Sequence, residues 1–130
     1  MNTNLLLTAS AIVMGLLGIA ASFLPQEIAA RLGARDEGVV LLVQVAGALL
    51  FGFAMINWMA RGSLIGAIYN RPLAVGNVAH FVIGALALGK AALQGPRPVG
   101  LIAIAVIYVI FAVAFAMVLF QSPVRGAGER

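Results

Sequence analysis

VVLLVQVAGALLFGFAMINWMA, residues 39–60, runs for 22 positions without a charged side chain. A helix of about 20 apolar residues crosses a hydrocarbon core of about 30 Å, so this stretch reads as a membrane span. Three further blocks of similar length, residues 5–24, 73–93 and 99–120, flank it. Inside lipid every backbone amide needs a partner, which leaves helices or a closed barrel. None of the four blocks alternates apolar with polar residues as barrel strands do. The expected fold is therefore all-α: a four-helix antiparallel transmembrane bundle, forming one domain over residues 1–122 with a disordered tail at 123–130.

The composition agrees. The chain is 63% hydrophobic and 9% charged, against about 25% charged in soluble domains. It has no cysteine, which excludes disulfides, thiolate chemistry and covalent haem attachment. The net charge of +4 comes from basic residues placed singly near block ends. There they reach lipid headgroups, so no nucleic-acid partner is expected. Ala20-Ala21-Ser22 has the small residues of a signal cleavage site. However, positions 1–4 carry no Lys or Arg and the apolar run is longer than a signal core, so the first block is expected to remain a membrane helix.

Between the first two blocks lies QEIAARLGARDEG, residues 26–38, the one segment rich in charge. Ile28, Ala29 and Leu32 share a helical face, with Glu27 and Arg31 outward, so a short interfacial helix is expected, ended by Gly33 as a C-cap. Small residues let helices approach closely where lipid supplies no hydrophobic drive. Gly15 and Gly18 with Ala11 and Ala21 form such a face on the first helix, and Gln44, Ala48 and Gly52 on the second. Residues 94–98, QGPRP, make a stiff turn, and the fourth helix has Tyr108 as its lone hydroxyl.

Polar groups gather in NWMARGSLIGAIYNRPLAVGNVAH, residues 57–80. Asn70 is a possible helix cap, with Pro72 at an early helical position. Asn77, His80, Gly84, Ala87 and Ala91 then recur at i+3 or i+4 as one polar-to-small stripe. The candidate ligand-contacting residues are Gln44, Asn57, Trp58, Tyr69, Arg71, Asn77 and His80, around a pocket between the second and third helices. Arg61 and Arg71, beside Trp58 and Tyr69, suit an anionic headgroup or carboxylate, or ordinary interfacial anchoring.

Intramembrane ionisable residues are functional candidates, yet no Asp or Glu lies inside any block. A proton-coupled exporter of cations lacks its exchanging carboxylate. His80 is the one histidine. It suits a hydrogen bond to Asn77 or Gln44, contact with a ligand, or one metal or haem ligand, the last needing a second copy of the chain. Structural hydrogen bonding is the favoured role. Catalytic residues, metal ligands and cofactors are not expected: the sequence has no acid–histidine–nucleophile set, paired carboxylates or phosphate loop.

An even number of crossings puts both termini on one side. Arg61, Arg71, Arg125 and Arg130 on that side balance Arg31, Arg35, Lys90 and Arg97 on the other. The amino terminus and the acidic first connection favour cytoplasmic termini. GLLGIAASFLPQEIAARLG (15–33) and LLVQVAGALLFGFAMINWMARGSLIGAIYNRPLAVGNVAHFVIGALALGK (41–90) resemble a group of small uncharacterised bacterial four-helix membrane proteins, and more loosely the DoxX-like families. The likeness covers roughly residues 11–93; the fourth helix matches only in hydropathy. It implies a four-helix bundle in the bacterial inner membrane and brings no activity. The functional expectation is a non-enzymatic membrane protein packing with partners or itself, in contact with membrane lipids. The alternatives are a binder of a lipid or small hydrophobic ligand, and an oligomeric transporter or channel.

Overall fold

The computed structural model describes residues 2–62, 71–95 and 99–121. Those residues form five helices and no strand: α1 (Thr3–Phe23), α2 (Pro25–Arg31), α3 (Glu37–Ala60), α4 (Arg71–Gln94) and α5 (Val99–Gln121). The chain is all-α, and α1, α3, α4 and α5 are each long and apolar enough to cross a membrane. Four such spans are compatible with the expected four-helix bundle. The expected residue Tyr69, the Asn70 cap, part of the 94–98 turn and the tail lie outside the described residues.

The helix ends follow local chemistry. α1 and α3 each begin two residues before the apolar run does, because a polar side chain caps the free amides there. Asn2 Oδ1 accepts from the amides of Asn4 and Leu5, and Asp36 Oδ1 accepts from Gly38 at 2.9 Å. Pro25 ends α1 and opens α2 as its first residue, where a missing N–H costs nothing. α2 closes at Gly33 as expected. Gly33 has φ +81°, its N–H reaches Ala30 O at 3.0 Å, and Ala34 N–H reaches Ala29 O at 2.9 Å. This doubly bonded cap needs a left-handed residue, which glycine supplies without strain.

The helices gather in two compact units. In the first, residues 2–62, α1 and α3 pack together with α2 against them. Ser10 meets Asn57 and Ser22 meets Gln44, so the two long helices run antiparallel. α1 buries Leu7, Ala11, Met14, Gly18 and Ala21, a row repeating at alternating steps of four and three. That is the 3.5-residue seam of a left-handed helix pair. The tightest approach is glycine against backbone. A Cβ on Gly18 would lie 2.7 Å from Phe51 N, and one on Gly47 would lie 2.6 Å from Ser22 N.

The α3 row buried against α1 is Gly47, Ala54 and Asn57, whereas Gln44, Ala48 and Gly52 are exposed. The expected small face of α3 therefore lies beside the row that α1 covers. Gly47 decides it, because α1 backbone passes where any Cβ would stand.

The second unit holds α4 and α5. Gly84 lies against Tyr108, and Phe81 against Phe111 and Phe115, so these helices also run antiparallel. Phe81 is fully buried. It stacks on Phe115 at 5.6 Å and 11°, on Phe111 at 5.0 Å and 27°, and meets Tyr108 edge-on at 5.2 Å and 68°. Such ring pairs gain about 0.5–1.5 kcal/mol beyond area burial, which suits a medium where area burial drives little. The expected stripe on this helix is only partly internal: Asn77 is buried, but Ala87 and Ala91 are exposed. Bulky aromatic contacts hold this pair, with small residues buried at Ala74 and Ala112 and a close approach at Gly84.

Candidate functional site

The polar side chains of the spans fall into separate contacts. Asn57 and Ser10 are both at 0% exposure. Asn57 Nδ2 donates to Ser10 Oγ at 3.1 Å and lies 3.8 Å from Met14 Sδ, while Ser10 Oγ donates back to Leu7 O at 3.0 Å. In an apolar surround an unmade hydrogen bond is costly, and this chain of contacts satisfies the amide and the hydroxyl while tying α3 to α1. At the other end of the same helix pair, Gln44 Nε2 donates to Ser22 O at 3.4 Å. Gln44 and Asn57 are thirteen residues apart, or about 20 Å along the axis. A pocket touching both would have to run most of the way across the membrane.

The Asn57–Ser10 contact should be measurable as a coupling. A double-mutant cycle with Asn57→Ala and Ser10→Ala, read as unfolding free energy in detergent, is expected to give about 0.6 kcal/mol and at most about 1.7. Strictly additive single losses would show that the two side chains act independently.

Trp58 and Arg61 close α3. The Arg61 guanidinium sits 3.7 Å from the centre of the Trp58 ring, and Arg61 Nη1 donates to Trp58 O at 2.7 Å. Stacking over an indole is the best cation–π geometry, and a cation at the carbonyl end of a helix complements its dipole. Arg61 was expected beside Trp58, but the short bond to the helix end was not legible in the sequence.

In the second unit Arg71 is exposed at the first position of α4, and Asn77 is fully buried. Asn77 Nδ2 donates to Leu73 O, 3.0 Å away in its own helix. His80, half-buried one turn on, lies with Nε2 3.2 Å from the Tyr108 hydroxyl, the rings 5.5 Å apart. The sequence offered Asn77 and Gln44 as partners for His80, and the structure adds Tyr108 from α5. Gly84, one turn beyond His80, leaves room for the phenol: a Cβ there would stand 2.5 Å from Tyr108 Cε1.

The sequence reading gave no role to Ser10 or to the aromatic face of α5. Ser10 belongs to the α1 seam, between Leu7 and Met14, and is its fully buried hydroxyl. Tyr108, Phe111 and Phe115 recur at i, i+3 and i+7, a helical aromatic face that signals a partner ring on a neighbouring helix. Among the described residues no group of three or more His, Cys, Asp or Glu is placed to hold a metal ion.

The length and composition of four helices define a multi-pass α-helical membrane protein. No protein-family model, curated protein or solved structure matches the chain.

Proposed function

We propose that this is a non-enzymatic packing subunit of a membrane, associating with copies of itself or with other membrane helices. The observation that carries the reading is the division of labour on α3. Its Gly47, Ala54 and Asn57 row is spent on α1. Beside it, Ala48 and Gly52 stay uncovered by their own unit, and a Cβ on Gly52 would meet nothing within 4 Å. Small residues are what one membrane helix offers another. The polar groups of the spans support the same reading, since Asn57, Asn77 and His80 each engage helix backbone or a neighbouring helix. A bacterial inner membrane with cytoplasmic termini is part of this proposal, resting on the sequence resemblance and on the charge of the connections.

Native mass spectrometry of the detergent-solubilised protein tests it. The wild type is expected as an oligomer or bound to another membrane protein. Gly52→Leu should shift it towards the free monomer without lowering its thermal midpoint. A wild type that is monomeric and free of partner protein at all concentrations would remove the proposal.

A further inference from the structure

The chain has no acidic residue between Glu37 and Glu129, while Arg61, Arg71, Lys90, Arg97 and Arg125 fall in that interval. Glu37 and Asp36 stand at the start of α3, and Arg61 follows its end, about 35 Å away along the helix. Neither they nor any other carboxylate from residues 38–128 can neutralise Arg61. Its guanidinium is nevertheless held in place, over the Trp58 ring at 3.7 Å and bonded to Trp58 O at 2.7 Å. An exposed arginine ordinarily loses much of its rotamer freedom on binding an anion; here two contacts have already restricted it. The bond to Trp58 O takes one of five N–H donors, and a phosphate held by both prongs of the fork takes two. Trp58 is itself a residue of the headgroup layer, with 43% of its surface exposed.

We propose that the Trp58–Arg61 clamp is a binding site for the phosphodiester of an anionic phospholipid. The clamp supplies a planar, charged, pre-oriented donor at headgroup depth, where an anionic headgroup can supply the counter-charge. A zwitterionic lipid carries its own cation beside the phosphate, so it gains less from Arg61. This inference rests on the end of α3 and is independent of the packing role of its uncovered face.

The test is lipid retention by native mass spectrometry after equilibration in mixed micelles holding equal phosphatidylglycerol and phosphatidylcholine. The wild type should retain phosphatidylglycerol preferentially. Arg61→Ala should cut that preference about fivefold, as the loss of one basic residue at an anionic surface predicts. Arg61→Lys keeps the charge but loses the planar fork, and should recover less than half of the preference. Trp58→Leu, which removes the stacking, should also reduce it. Equal retention in wild type and Arg61→Ala would overturn the site. Full recovery by lysine would overturn the clamp in favour of charge alone, and displacement of lipid by millimolar inorganic phosphate would overturn the lipid assignment. Should Arg61→Ala not fold, the lysine and Trp58 variants decide the question.

Discussion

Gly47→Ala is expected to destabilise the α1–α3 pair by about 1–3 kcal/mol, the cost of forcing volume into a filled interface. The new methyl would meet Ser22 N at 2.6 Å, Ser22 Oγ at 2.7 Å and Ala21 C at 2.9 Å. Two of those three atoms are backbone, so no side-chain rotation relieves the contact and the helices must separate. Separation stretches the whole seam, from Gly18 against Phe51 to Asn57 against Ser10. Gly52→Ala, five residues along the same helix, is the internal comparison. Its methyl would meet nothing, and replacing a mid-helix glycine gains about 0.5–1 kcal/mol. Thermal or denaturant unfolding in one detergent should therefore move the two variants in opposite directions. Equal midpoints would contradict the close α1–α3 approach.

The second large effect is expected at Phe81. Phe81→Ala removes the ring that touches Tyr108, Phe111 and Phe115 together. In a water-soluble core such a truncation costs about 3–5 kcal/mol. Here about 1–3 kcal/mol is expected, because lipid also solvates phenylalanine when the helices come apart. What is lost is ring-on-ring contact and the filling of the gap. The same truncation at Leu86, exposed on α4, should change the midpoint little. Unfolding of both variants in detergent checks this, and the aromatic contacts would carry no stability if Phe81→Ala matched Leu86→Ala.

These two sites mark different ways of joining helices in one chain. The first unit brings backbones together through glycine and locks them with a buried amide–hydroxyl pair. The second holds its helices with rings. Neither method depends on excluding water, which suits an environment where both the packed and the separated helix are surrounded by apolar material.

The candidate site was legible in part. Asn57, Asn77 and His80 stood out because amides and imidazoles are costly inside a membrane, and each has a hydrogen bond within its unit. Trp58 beside Arg61 was visible as an interfacial pair. Partners were harder to read. Ser10 lies 47 residues from Asn57 and Tyr108 lies 28 from His80, and nothing local to either member names the other. Gln44 and Asn57, both among the expected ligand-contacting residues, stand about 20 Å apart along their helix.

By itself the sequence determined that the chain is helical and how many spans it has, because length and apolarity decide those one segment at a time. It also determined the short helix after Pro25 and its glycine stop, since a cap uses only neighbouring residues. Only the tertiary structure decided which row of α3 meets α1, and which α5 side chain answers His80. Those choices depend on the approach of two backbones and on the azimuth of each helix. In a uniformly apolar span, several faces satisfy the same pattern of residues.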